Sequence, residues 1–512
     1  MIIRSAATKL FQCYSLKKRL KQFILFLELI ISCSIFPFFT NNDRKNVSLR
    51  SYTEIERQRV ADVFVDRMRD DGYDVQEGIY YHFLQSDCVE LLEEKSPDGC
   101  YGNNPTSPYG IYAFDSLAGE YVDDIPSLKF NHGTEEQKRL PPFKLAHRIR
   151  KDEAYVYIGK TPPKSAYFGF THYTYMTHDR NGTSTTVFGS LSDTINPSNI
   201  QVDSDGSFDD AFDKDVVIIT TPHRGVYSDI QKALDYAGVP SDIRNLQEIP
   251  SSLFKAGLGK ESDVLTNLNR VALIEDEVEA DSFLHNPPVL VFRLTPRVPK
   301  EATISYRRPK RVKQRQYPTE FRLEKSLDEL EEAVFDRYSP NGTVTAMNET
   351  QEFPLKGQQC ILLNLPCYGD NSDAAYFINV PQNRTFNGDQ FFVIIGVNHH
   401  ESINARYSHV VAGSYSKYIA VAEFNSIEHM PKSSYPYISE ANVPKRDMLY
   451  AATLRRDCTG HEFCMEMPYG LMGLDPDESP TFVFRAYMAE NSTVGHDTDS
   501  LLRARVYFVD PT

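Results

Sequence analysis

The sequence predicts a β-rich α+β fold, with two β-sandwich-like domains of similar topology, the first carrying an inserted α/β element. Three observations point there. Tyr (30) and Phe (31) are plentiful while Trp is absent. With Thr and Val they fall in short runs broken by Pro and Gly, which is the composition of half-buried strands. Two stretches also echo one another. Tyr155-Val-Tyr-Ile158, Ala166-Tyr-Phe168, a glycine at 189 and Ile195-Asn196 recur in order as Cys360-Ile-Leu-Leu363, Ala375-Tyr-Phe377, a glycine at 396 and Ile403-Asn404. Finally, the continuous apolar run Asp215–Thr220 leads into a capped helix pattern, Ser228–Gly238, with a glycine stop. That is an α/β step inside otherwise strand-like sequence.

The elements follow in order. Residues 1–40 read as a signal peptide or signal anchor. Arg4, Lys9, Lys17, Lys18, Arg19 and Lys21 precede the apolar run Phe23–Phe39, the order of a secretory signal. An uncleaved anchor with its basic end cytoplasmic is the alternative, although Glu28 would be costly at the bilayer centre. A buried helix fits less well, because the run is apolar on every face. Residues 41–150 are an N-terminal helix and a turn-rich region. Thr53-Glu-Ile-Glu56 resembles a capping box, Val60, Val63, Phe64 and Met68 recur at helical spacing, and Gly72 ends the helix. Residues 151–304 form the first β-rich domain, with strands at Ala154–Ile158, Ala166–Phe170, Ser184–Phe188, Asp215–Thr220 and Pro288–Leu294. Residues 305–340 are a basic linker and an acidic helix with Leu327, Leu330, Val334 and Tyr338 on one stripe. Residues 341–512 are the second β-rich domain.

Six of the eight cysteines form tight local pairs, Cys88/Cys100, Cys360/Cys367 and Cys458/Cys464, while Cys13 and Cys33 lie in the leader. Such spacing beyond a signal reads as a disulfide framework in an oxidising compartment. Sequons at Asn46, Asn181, Asn341, Asn348, Asn383 and Asn491 fit a secretory, extracellular or cell-surface glycoprotein. The net charge is −15, and the basic leader makes the remainder more acidic still. An acidic body argues against nucleic acid as a partner. Membrane contact is expected only through the N-terminal segment.

Candidate chemistry is sparse. Asn398-His-His-Glu401 followed by His409 is the richest polar cluster. His399, Glu401 and His409 could do acid/base work or hold zinc, or they could be ordinary surface histidines. Asp203, Asp205 and Asp209 surround a glycine and suit calcium, although the spacing is not that of an EF-hand and a solvated turn is the better reading. No cofactor is otherwise expected. His223 and Arg224 stand between a buried strand and a helix start, a common anion site, or else a simple helix-entry turn. Arg308-Pro-Lys-Arg311 resembles a proprotein-convertase site cleaved after Arg311. A charged linker or a polyanion patch are the other readings. There is no HExxH, GxSxG or dinucleotide fingerprint.

The segments 160–170, Leu191-Ser-Asp-Thr-Ile-Asn196, 216–221, Gly369-Asp-Asn371, Gly396-Val-Asn-His399 and Cys458…Cys464 resemble a family of uncharacterised secreted proteins from bacteria and some algae. The resemblance covers roughly residues 80–510 and implies no activity. The β-sandwich scaffold, the many tyrosines and the absence of a recognised catalytic motif make the expectation an extracellular binding protein for a carbohydrate or peptide. A secreted hydrolase using a site around His399 is the alternative.

Overall fold

The computed structural model describes residues 52–512 apart from 95, 97–98, 180–182, 204–205, 310–312, 314–317, 354–355, 382–383, 442 and 490–491. The leader, Asn46, Asn181, Asp205, Arg311, Asn383 and Asn491 lie outside the described residues.

The first part contributes strands β1 (Tyr73–Phe83), β2 (Tyr109–Ala113), the hairpin β3 (Ser127–Leu128) and β4 (Phe143–Lys144), β5 (Ala154–Lys160), β6 (Ser165–His178), β7 (Ser184–Ser190), β8 (Asp215–Thr221), β9 (Arg244–Glu248), β10 (Val264–Ile274) and β11 (Val289–Pro296). All but the hairpin join one sheet in the order β7-β6-β10-β2-β1-β11-β5-β8-β9. Only β8 and β9 pair in parallel there. The sheet is covered on both faces, and alternation along each strand decides which residue goes where. Val156, Ile158, Val217 and Ile219 pack on helices α1 (Glu54–Asp70) and α2 (Arg224–Tyr236). Their neighbours Tyr155, Tyr157, Val216 and Ile218 fill the opposite core. Each such fully buried aliphatic stabilises the fold by roughly 1.5–3 kcal/mol.

Both helices begin and end for local reasons. Thr53 and Glu56 form the expected capping box on α1, and Gly72 follows at φ +89°. Helix α2 links β8 to β9, as the α/β insertion requires, but it starts a turn earlier than the sequence predicts. Nδ1 of His223 accepts from the Val226 amide (3.1 Å), so His223, not Ser228, is the cap.

The second part contributes helix α3 (Glu324–Tyr338), β12 (Gly342–Ala346), β13 (Gln351–Glu352), helix α4 (Gly357–Leu363), β14 (Ala374–Asn379), β15 (Phe391–Val397), β16 (Tyr407–Ser414), β17 (Ile419–Asn425), β18 (Leu449–Arg455), β19 (Cys464–Glu466), β20 (Thr481–Tyr487) and β21 (Arg505–Pro511). They form two five-stranded sheets, β12-β21-β15-β18-β19 and β13-β14-β20-β16-β17. Phe377, Phe392, Phe482, Phe484 and Phe508 interdigitate between the sheets as a sandwich core. Leu327, Leu330 and Val334 of α3 cover the outside of the first of these sheets.

The echo holds for strands 166–168 and 374–379 but fails at Cys360–Leu363. That segment is α4, a helix rather than a strand, and its Cys360 and Ile361 drop into the core of the first part. All three local cysteine pairs are bonded, with Cα separations of 5.1, 5.8 and 5.7 Å for Cys88–Cys100, Cys360–Cys367 and Cys458–Cys464. These are disulfides of an oxidising compartment. Among the described residues no helix is long and apolar enough to cross a membrane.

Candidate binding cavity

One face of the sheet β13-β14-β20-β16-β17 is committed to the sandwich; the other carries the site. Cross-strand register puts partners on a common face. Tyr376, Arg485 and His409 stand in one row across β14, β20 and β16. Ile378, Val483, Val411 and Glu423 stand in the next. The intervening Phe377, Phe484, Val410 and Phe424 point into the sandwich core. The strand Thr481-Phe-Val-Phe-Arg-Ala-Tyr487 therefore alternates between a core face and a face that bears its arginine and tyrosine.

Above this face lies a cavity of about 140 Å³, with Tyr376, Val483, Val411 and Arg485 in its wall and Tyr368, Tyr415 and Tyr418 also lining it. The rim tyrosines form an aromatic group: Tyr368 stacks on Tyr418 at 5.7 Å, and Tyr415 meets Tyr418 at 5.4 Å. Tyr368 and Tyr415 are 43% and 50% exposed, so these rings face solvent as well as each other. Gly102 and Asn103 close one side. They are held there because the Ala420 amide donates to Asn103 Oδ1 (2.9 Å) and Asn103 Nδ2 donates to the Ala420 carbonyl (3.1 Å). Gly369 sits at φ +74°, where a side chain would be strained, and a Cβ would lie 3.1 Å from Phe188. A larger cleft of about 760 Å³ lies beside Arg503 and Arg505, but those arginines pair with Glu349, Asp328 and Glu331.

Behind Arg485 runs a polar relay. Nη1 of Arg485 donates to His409 Nε2 (3.4 Å), His409 Nδ1 donates to Glu423 Oε1 (3.0 Å), and the Tyr407 hydroxyl donates to the same oxygen (2.6 Å). Burial holds the His409 imidazole below the ordinary histidine range, although Glu423 pulls the other way. A neutral ring with Nδ1–H is the tautomer this geometry requires.

The structure separates the other sequence-derived candidates. His399 lies in the turn after β15, where its Nδ1 donates to Glu320 Oε1 (2.8 Å). Glu320 also accepts from the Ser402 hydroxyl (2.6 Å) and the Leu502 amide (2.9 Å). Burial alone would raise the Glu320 carboxyl, but His399 and these donors hold it below the usual range. His399 and His409 share a small cavity of about 10 Å³, enough for one water. Glu401 is exposed on the turn and stands apart from it. His223 is buried, with Nε2 donating to the Glu301 carbonyl (2.7 Å). Arg224 lies over the Tyr306 ring at 4.2 Å. Asp209 is exposed and pairs with Lys164, and Asp203 is half-buried. Among the described residues no group of three or more His, Cys, Asp or Glu could hold a metal ion. Asn341 and Asn348 are exposed.

Sequence reasoning named His409 but missed Arg485, Glu423 and Glu320. For Arg485 a signal was present, since a lone charge alternating with Phe482 and Phe484 in an apolar strand marks a special outer face. Glu320 and Glu423 have none, because their partners come from 79 and 14 residues away.

No family model matches the chain, and no curated protein matches it. Two solved structures are similar over most of their length. One is an uncharacterized protein from Burkholderia cenocepacia, 10% identical with a TM-score of 0.38, covering 88% of this chain and 87% of that one. The other is a protein from Vibrio parahaemolyticus, 10% identical with a TM-score of 0.33, covering 89% of this chain and all of that one.

Proposed function

We propose that the chain is a secreted or membrane-anchored, disulfide-bonded glycoprotein that binds a carbohydrate or peptide in the tyrosine-lined cavity. The observation that carries this reading is the solvent-facing aromatic rim of Tyr368, Tyr415 and Tyr418 over a concave, partly polar floor. Aromatic faces with a few placed polar groups are the usual chemistry of such pockets. The leader, the sequons and the three disulfides support secretion together. Cleavage after Arg311 would belong to the same export route. The second reading is a secreted hydrolase, and the buried His409–Glu423 pair behind Arg485 favours it, since an oriented imidazole is the commonest general base.

The test is binding of the purified, oxidised protein to glycan and peptide arrays, repeated with Tyr415→Ala. Retained, saturable binding without product, weakened at least tenfold by Tyr415→Ala, is the expected result. Turnover of an array component that is lost in His409→Gln would replace the binding reading with the hydrolase.

A further inference from the structure

Two arginines meet below the cavity. Arg270 is 4% exposed. Its Nη2 donates to the Gly369 carbonyl (2.7 Å), and its guanidinium lies over Tyr109 and Tyr173 at 5.4 and 5.5 Å. Arg485 reaches His409 and borders the cavity itself. The two guanidiniums repel each other and share Tyr109, Tyr376 and Tyr487 as neighbours. Among the described residues, neither forms an ion pair with a carboxylate. The surrounding charges are otherwise engaged. Asp370 accepts from the Ser190 amide and hydroxyl and the Gly357 amide. Glu352 faces Lys356 at 3.5 Å. Lys313 donates to the Ser372 and Ala374 carbonyls. Glu423 stands behind His409. A guanidinium does not shed its proton inside a protein, so the positive charge persists at the cavity wall. Phenol rings and a carbonyl temper it without cancelling it.

We infer that the cavity takes a saccharide bearing an oxyanion, a carboxylate or a sulfate, whose charged group sits against Arg485 while its ring lies on Tyr368, Tyr415 and Tyr418. The inference rests on the carbohydrate reading above. A sugar is favoured over a peptide by an unsatisfied hydroxyl in the cavity lining and by the strand pairing of its floor. The Thr481 hydroxyl in the cavity lining has no hydrogen-bond partner among the described residues and is open to a sugar hydroxyl. Strands β20 and β16 are each paired on both sides, leaving no free edge in the cavity floor for a peptide strand.

The experiment is calorimetric titration of the full oxidised protein with a uronate trisaccharide, its carboxyl-reduced neutral counterpart and a sulfated trisaccharide of the same backbone. At least one charged sugar binds ten times or more tighter than the neutral one, and which of them does so identifies the oxyanion. Arg485→Gln abolishes that preference, Arg485→Lys keeps part of it, and Tyr415→Ala weakens all three sugars alike. Near-ultraviolet circular dichroism establishes that each variant is folded. Equal affinities for charged and neutral sugars, unchanged in Arg485→Gln, would overturn the oxyanion anchor and leave carbohydrate binding standing. Absence of binding to all three sugars would overturn both.

Discussion

Arg293 and Arg485 both project from strands into the interior, yet their surroundings differ in kind. Arg293 is fully buried in the first part, with Nη1 on Glu120 and Nη2 on Glu153, each at 2.9 Å, and its neighbour Arg148 holds Asp124 at 2.8 Å. Every charge there has an opposite within hydrogen-bond reach. Arg485 has a histidine, several phenols and a second arginine instead. The first arrangement is self-contained and joins strand β11 to the turns around residues 120 and 153. The second is incomplete from within and borders a cavity. A buried cation that is neutralised internally is architecture, whereas one that is not points outward to a ligand.

Replacing each arginine in turn tests the difference between the two sites. Arg293→Met strands two buried carboxylates and should cost about 3–5 kcal/mol, read as a lowered urea midpoint with an unchanged slope. Next in size is a third buried charge, Asp373. Tyr167 and Asn196 donate to its Oδ2, each at 2.9 Å, and burial pushes its carboxyl up to about 7, with Lys313 opposing and Asp193 reinforcing the rise. An unpaired carboxylate can escape its cost by taking a proton, a route closed to arginine. The folded state therefore binds a proton that the unfolded state has already released between about pH 4 and pH 7. Stability contributed by this group is greatest near pH 4 and falls as pH rises to about 7, by on the order of 3 kcal/mol. Asp373→Asn should flatten that limb in melts run across the window.

Smaller still, replacing Cys360 and Cys367 together by serine opens a short loop and should cost about 2 kcal/mol, measured by thermal unfolding. Last is Arg485→Gln, expected to change stability by less than about 1 kcal/mol, because among the described residues the charge it removes has no carboxylate partner. A loss as large as that of Arg293→Met would erase the distinction between the two sites.

Much of this architecture could be read from the chain. The α1 capping box, the buried strand at 215–221, the stripe on α3 and the three cysteine pairs all rest on contacts within a few residues, where spacing speaks directly. The site was legible only in fragments. The segments around Asn196 and Asn371 stood out as motifs, and the fold brings them together: Thr194 Oγ1 donates to Asn371 Oδ1 (2.8 Å), and Asn196 reaches Asp373. That junction depends on how strands from distant parts of the sequence pack, which no local pattern encodes. Glu401 illustrates the converse. Period-two spacing places it beside His399 only if the backbone stays extended, and the turn after β15 sends it to solvent instead.

The loop closed by Cys360 and Cys367 also supports the cavity's rim. Its backbone is pinned to β7 through the Cys367 amide on the Val187 carbonyl (2.7 Å), and the very next residue is Tyr368. The disulfide and this backbone hydrogen bond together fix where the aromatic wall begins. Reduction of this pair would leave most of the core in place while loosening the backbone that leads into Tyr368.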